Sequence, residues 1–268
     1  IQQVDYFTGI QTCDFDVAVA DGRIVMVGQE LVNAFLDAVE TQRVHPDVCG
    51  KSGLHVIYTP LNGTGNKPVR AILSRIGVQH CDVVKTQELP DGNFPTCPYP
   101  NPEIRQAFEQ ALLMAKDSPA DLLLATDPDC DRVGIAVRDE NGEYQLMSGN
   151  QVGVLLLNYL LSQKKANGTL PAQPVAVKSF VSTDLAEKIA EKYNCGFKNL
   201  LTGFKYIGEL ITNLEKDGRA GDFILGFEES YGYLAGTHAR DKDAVVASML
   251  ICEMAAFYKL QGQTLLDV

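Results

Sequence analysis

The sequence predicts two consecutive α/β/α domains with mainly parallel or mixed sheets. Three observations carry that reading. Short apolar runs of strand length alternate with helix-periodic stretches of ten or more residues, the pattern of linked strand-helix-strand units. The alternation occurs twice, on either side of residues 164–174, a stretch containing Pro, Asn and Gly that makes the best interdomain loop in the chain. A chain of 268 residues that is 46% hydrophobic has enough apolar material for two domains of ordinary size.

Taken in order, residues 5–24 show little periodicity, and a helix follows from Gly28 with Leu31, Val32, Phe35, Leu36 and Val39 on one face. A strand over 54–58 runs into the turn-rich segment 59–68 and then a helix whose Val69, Ile72, Leu73 and Ile76 stripe ends at Gly77. A second strand covers 78–84. Residues 90–102 form a long loop, and Pro102 suits the first turn of a helix reaching about Ala115. Apolar runs at 121–126 and 133–137 read as strands around an acidic loop, and the first domain closes near Asn150. A linking helix over 151–161 leads to the second series. There, strand 175–180 precedes a helix capped by Ser182-Thr183-Asp184, a short strand over 197–201 precedes a helix over 204–214, and strand 223–227 precedes a helix over 244–260.

Composition excludes several classes of function. The net charge of −11, with 23 basic residues and no basic cluster, argues against nucleic acid or an anionic membrane as partner. No run of eighteen apolar residues and no signal segment is visible. The seven cysteines are odd in number and scattered without a C-x-x-C pair, which suits free thiols in a reducing compartment, by default the cytoplasm. The amino end lacks Met and any targeting pattern, so the chain reads as a piece of a longer protein.

The densest chemistry lies in Thr126-Asp127-Pro-Asp129-Cys-Asp131-Arg132. Three carboxylates at alternate positions of an extended loop project to one side, and oxygen ligands favour Mg²⁺, Mn²⁺ or Ca²⁺ over Zn²⁺. An EF-hand is excluded because its sixth and twelfth positions, Gly and Glu, are Arg132 and Arg138 here. A solvated acidic turn is the plainer alternative, but the flanking apolar strands bury the base of the loop. Cys130, a soft ligand in a hard-cation loop, reads as a small filler. Arg132, directly after the carboxylates, points to a phosphate.

Ligands of doubly wound sheets gather beyond the carboxyl ends of strands, where three loops of this chain open. Besides the acidic loop, Thr202-Gly203 before a helix offers backbone N–H groups to an anion, with Lys205 as a point charge, or else a simple cap. Glu228 and Ser230 pair a carboxylate and a hydroxyl suited to vicinal sugar hydroxyls, or else form an exposed turn. Arg240-Asp241-Lys242-Asp243 holds two cations that either reach a ligand or are solvated, with Asp243 a candidate cap. Lys178, in an otherwise apolar strand, is either an edge residue or a buried cation reaching a ligand. The histidines are not paired at metal-ligand spacing and read as structural. The segment 63–67 lacks P-loop spacing.

Together, Tyr58-Thr-Pro-Leu-Asn-Gly-Thr-Gly, Thr126-Asp-Pro-Asp-Cys-Asp-Arg132, Leu201-Thr-Gly-Phe-Lys205, Gly226-Phe-Glu-Glu-Ser-Tyr-Gly232 and Arg240-Asp-Lys-Asp-Ala244 resemble the α-D-phosphohexomutases, the phosphoglucomutase/phosphomannomutase family, and most of all its phosphoglucomutase and phosphopentomutase branch. The resemblance implies four domains in the whole protein, of which residues 28–152 are similar to the second, with the metal loop, and 153–268 to the third, with the sugar loop. Residues 1–27 then form a linker from an upstream domain. No serine lies in the family's Thr-Ala-Ser-His-Asn-Pro context and nothing resembles the fourth domain's phosphate loop, so the nucleophile is expected outside this chain and the chain alone is expected to be inactive. Its partners are expected to be the first and fourth domains of the same protein and a sugar phosphate, with no nucleic acid and no membrane.

By the same resemblance, the activity is interconversion of hexose 1-phosphate and 6-phosphate through a phosphoserine and a bisphosphorylated sugar, with glucose 1,6-bisphosphate as activator. Asp127, Asp129 and Asp131 would hold Mg²⁺. Arg132 and Lys178 are the expected catalytic residues, and Thr202, Gly203, Lys205, Glu228, Ser230, Arg240 and Lys242 the expected substrate contacts. Two departures stand out: Asn62 occupies a place where the family usually has His, and Phe204 one where the mannose branch often has His, which favours glucose or pentose phosphate. A non-catalytic sugar-phosphate or metal-binding module, a phosphopentomutase and a metal-dependent phosphatase remain alternatives.

Overall fold

Two mixed sheets form where the sequence places its apolar runs, and each is built by one rule. In the computed structural model, which describes residues 3–5 and 8–268, β1 (His55–Thr59), β2 (His80–Val83), β3 (Leu122–Thr126), β4 (Val133–Arg138) and β5 (Tyr144–Met147) make a sheet of order β2-β1-β3-β4-β5. Its first three strands are parallel, β4 runs antiparallel to β3, and β5 runs antiparallel to β4. The second sheet, β6 (Val175–Ser179), β7 (Gly196–Leu200), β8 (Phe223–Phe227) and β9 (Tyr233–Leu234), has the order β7-β6-β8-β9, again three parallel strands followed by an antiparallel one. Buried on both faces, β3 and β8 read as continuous apolar runs.

Helices cover both faces of each sheet. On the first sheet, Ile57, Leu123, Ala125 and Ala136 pack with Phe108, Ala111 and Ala115, which belong to the 3₁₀ turn Arg105–Phe108 and to α5 (Glu109–Asp117). The opposite face lies towards α9 (Ala244–Lys259), which also packs on α3 (Val48–Ser52) and α4 (Asn66–Arg75). The last helix of the chain thus covers the first sheet. On the second sheet, Phe227 lies against Gly153 of α6 (Gly149–Ala166), and Gly226 against Ile207 of α8 (Phe204–Lys216). The helix α7 (Leu185–Lys192) packs beside α6 and β7.

The chain divides into two units, 1–35 and 36–268, and both sheets belong to the second. Ile1, Gln2, Tyr6 and Phe7, part of the expected linker, lie outside the described residues. In the first unit, α1 (Phe15–Ala20) is capped by Asp14, whose carboxylate accepts the Val17 N–H at 3.1 Å. Its exposed Phe15 and Val17 leave no apolar stripe, and so 5–24 gave no helical signal. The helix expected from Pro102 starts later, because Asn101 takes the first N–H groups: its side chain accepts from Glu103 and its carbonyl from Ile104. Between α2 (Gln29–Glu40) and α3, Val44 N–H reaches across to Glu253 of α9 at 2.9 Å. Among the described residues no helix is long and apolar enough to cross a membrane.

Candidate functional site

The acidic loop joins β3 to β4, and residues 228–232 join β8 to β9, so the two loops occupy the same place in their sheets. They are tied to each other. An antiparallel bridge pairs Arg132 with Gly232, and Val133 N–H donates to Tyr231 O at 3.1 Å. Ala244 N–H, the first of α9, donates to Cys130 O at 3.1 Å.

Asp127, Asp129 and Asp131 offer oxygens that lie within 4.8 Å of one another. A turn brings them together, correcting the expectation of extended backbone: Cys130 N–H bonds back to Asp127 O at 3.0 Å, and Cys130 takes a φ of 60°. Asp127, buried, organises the turn. Its Oδ1 accepts the N–H groups of Asp131 at 3.1 Å and Arg132 at 2.9 Å, and its Oδ2 accepts Arg132 Nε at 2.8 Å. Burial pushes the Asp127 carboxyl up to about 6, against the pull of the Arg132 hydrogen bonds. Asp129 is exposed and Asp131 half-buried. Burial also pushes the Cys130 thiol well up, so it stays a neutral thiol and the ionised donors are all oxygens, a set that fits a hard divalent cation.

Arg132 also faces Glu103 at 3.4 Å, a partner the sequence reading missed because twenty-nine residues and a long loop separate them. Burial depresses the guanidinium, but its bonds to Asp127 outweigh that and hold it above its ordinary range. Lys242 closes the other side of the loop. Its Nζ lies 3.0 Å from Asp131 Oδ2 and 2.9 Å from Asp241 Oδ1, and 5.5 Å above the Phe204 ring. Burial pulls the ammonium down, while these two hydrogen bonds win and hold it up. Phe204 therefore serves as the floor beneath Lys242.

The other predicted residues divide into two groups. Glu228, buried, joins the loops on this rim: its Oε1 accepts Gly203 N–H at 2.8 Å, so one of the donors expected to hold an anion is already used. Gly203, with φ of 117°, adopts a conformation closed to other residues, which aims that N–H. Thr202 is exposed and Ser230 half-buried beside them. Glu229, on the other side of the chain from Glu228, accepts from Ser179 and Ser182 at 2.8 and 3.1 Å, an anchor that its neighbour's prominence hid.

Lys178, Lys205 and Arg240 bond elsewhere. Lys178 is 0% exposed in the interior strand β6, which rules out the edge alternative. Its ammonium donates to Ser182 O at 3.0 Å and pairs with Asp184 at 3.2 Å, holding the 180–184 turn. Lys205 lies over the Tyr206 ring at 4.9 Å. Arg240 is fastened to α8 through Glu215 and Thr212. Asn62 takes a left-handed φ of 56° and donates to Leu89 O at 2.9 Å, a structural role that explains an asparagine there.

Residues 33–142 match the profile for phosphoglucomutase/phosphomannomutase, alpha/beta/alpha domain II, and residues 148–268 that for domain III. The phosphoglucomutase of Staphylococcus aureus strain USA300 is 41% identical over 217 residues, which are 81% of this chain and 38% of that protein. The phosphoglucomutase of Staphylococcus epidermidis strain ATCC 12228 is 42% identical over the same length, with the same coverage of 81% and 38%. The chain thus spans 38% of the length of these curated relatives. Among solved structures, a phosphoglucomutase/phosphomannomutase family protein from Burkholderia thailandensis superposes with a TM-score of 0.65 at 16% identity, covering 90% of this chain and 48% of that one. The open form of Paramecium pp63/parafusin, a phosphoglucomutase, gives 0.64 at 18% identity, covering 91% and 40%. At these identities the two structures establish a shared fold.

Proposed function

The chain belongs to the phosphoglucomutase/phosphomannomutase family, whose domains II and III it matches, and on that premise we propose that it supplies the metal loop and sugar loop of a Mg²⁺-dependent phosphohexomutase. The whole protein, an isomerase, would interconvert hexose 1-phosphate and 6-phosphate through a phosphoserine that lies outside this chain and a bisphosphorylated sugar. The observation that carries the reading is the Arg132–Gly232 bridge, which puts the three carboxylates and the Glu228–Ser230 loop on one rim.

Asp127, Asp129 and Asp131 would hold Mg²⁺, which when bound supplies positive charge against a transferring phosphoryl group. Arg132, with Nε held by Asp127 and Nη1 facing Glu103, has its other guanidinium N–H groups to steady a phosphate. Glu228, held through Oε1, offers Oε2 to a sugar hydroxyl, and Ser230 adds a group that both donates and accepts. A carboxylate and a hydroxyl can hold vicinal hydroxyls of a sugar presented in either of two directions, as a mutase requires. Lys242 would meet the sugar phosphate beside Asp131. Lys178 would act indirectly, through the 180–184 turn. The free thiols suit a cytoplasmic setting.

The test is a coupled assay of glucose 1-phosphate to glucose 6-phosphate, with Mg²⁺ and glucose 1,6-bisphosphate, on the natural protein and on residues 1–268 alone. Activity in the natural protein and none in the isolated chain is the expected result. No activity in either refutes the glucose assignment, and turnover of ribose 1-phosphate instead would favour a phosphopentomutase.

A further inference from the structure

Asp243 carries two bonds that need different explanations. Its Oδ1 accepts the N–H groups of Val245 at 2.7 Å and Val246 at 3.4 Å, an ordinary cap for α9. Its Oδ2 lies 2.7 Å from Nε2 of His238, in a pair nearly closed to solvent on both sides. Capping needs one oxygen. With only that bond the carboxylate plane can swing over a wide range, because its terminal torsion is broad. The His238 bond to the second oxygen narrows that range.

The residues on either side of Asp243 are the ones that reach the acidic loop. Lys242 Nζ meets Asp131 Oδ2 at 3.0 Å, and Ala244 N–H meets Cys130 O at 3.1 Å. Asp243 N–H donates to Tyr233 O at 2.9 Å, which registers the segment on β9. A lysine stem has four rotatable bonds, so the position of its ammonium depends on the backbone that carries it. That backbone is fixed at Asp243.

We propose that His238 is a positioning residue, which orients Asp243 and thereby holds Lys242 and the amino end of α9 against the acidic loop. The placement rests on geometry alone, and its kinetic consequence rests on the phosphohexomutase reading. Without the His238 bond, the 241–244 segment relaxes, Lys242 leaves Asp131, and the sugar phosphate meets a displaced cation.

The experiment compares the natural protein with its His238→Ala and His238→Gln variants. The terminal amide of Gln donates from the place of Nε2, and Ala has no donor. Lys242 reactivity is read first, as acetylation by acetic anhydride followed by peptide mass spectrometry. It should rise about fivefold in His238→Ala and return to within about twofold in His238→Gln, since Lys242 is otherwise a mobile, reactive amine. The KM for glucose 1-phosphate should rise about tenfold in His238→Ala while kcat stays within about threefold, with KM restored by Gln, the signature of lost substrate binding.

Unchanged Lys242 acetylation in a folded His238→Ala protein overturns the proposal, as does a raised KM that Gln fails to restore. If His238→Ala does not fold, His238→Asn, whose shorter amide falls away from Asp243, replaces it in the same comparison. A natural protein without mutase activity whose Lys242 is nonetheless released by His238→Ala would refute the functional reading and uphold the positioning.

Discussion

Gly232 and Gly149 both lack room for a methyl group, yet alanine at the two sites should have different effects. At Gly232 an added Cβ would lie 2.7 Å from Cγ and 3.4 Å from Cε of Lys242, and nearer still to Cδ. All three atoms belong to one flexible stem. At Gly149 the Cβ would lie 2.9 Å from Glu229 C and from Tyr231 N, and nearer still to Glu229 O. Those atoms are backbone, in a loop held by Val133 N–H on Tyr231 O and by Glu228 N–H on Gly232 O at 2.9 Å. Gly232→Ala therefore moves the lysine and forfeits its pair with Asp131, a part-exposed ion pair worth about 1 kcal/mol. Gly149→Ala overpacks rigid backbone, at about 3 kcal/mol, although alanine suits a helix better than glycine. For a unit of this size, about 1 kcal/mol lowers Tm by about 2–4 °C, so the expected losses are about 3 °C and about 9 °C. Thermal unfolding followed by circular dichroism measures both. Equal losses, or a larger one at Gly232, would refute the distinction between a yielding stem and an unyielding loop.

The acidic loop makes the next prediction. Asp127 has its carboxyl raised to about 6, above about 3.9 in the unfolded chain, so it favours folding most below the lower value and that contribution is lost as pH rises through 6. In EDTA the urea midpoint of an Asp127-bearing chain should show this fall, and Mn²⁺ affinity should weaken about tenfold per pH unit below 6, because the cation competes with the proton. A pH-independent affinity between 4 and 6 would exclude Asp127 as a ligand. Asp129→Asn, at an exposed position, should leave Tm within about 2 °C and weaken Mn²⁺ by about tenfold or more in a calorimetric titration. Glu253, 0% exposed, accepts from Val44 N–H and Tyr159 OH, each at 2.9 Å. Glu253→Leu strands both donors and should cost about 3 kcal/mol by urea denaturation, whereas Glu253→Gln keeps an acceptor and should cost less than half of that.

Local patterns carried most of the sequence reading. The strands β1, β3, β4, β6 and β8 are apolar runs bounded by turn residues, and they fell within a residue or so of their expected ends. That the three carboxylates of the acidic loop converge was legible from their alternate spacing, although the turn at Cys130, and no extended backbone, brings them together. The hidden parts depend on distant partners. The strand β5 is four residues long and half-exposed, and β9 has two residues, so neither shows a period. No local signal joins Glu253 to Val44, 209 residues away. Lys178 and Arg240 have the character of ligand-seeking cations, yet Lys178 holds the 180–184 turn and Arg240 is fastened to α8.

The placement of α9 governs how this protein is made. A ribosome delivers β1 to β5 first, then roughly a hundred further residues before the helix that closes their open face emerges, which at ordinary elongation rates is a delay of about 5–20 s. Through that interval the face of β3 and β4 that α9 covers lacks its helix. Truncation before residue 244 would leave it so permanently. The first sheet is therefore synthesised about a hundred residues before the helix that completes one of its faces.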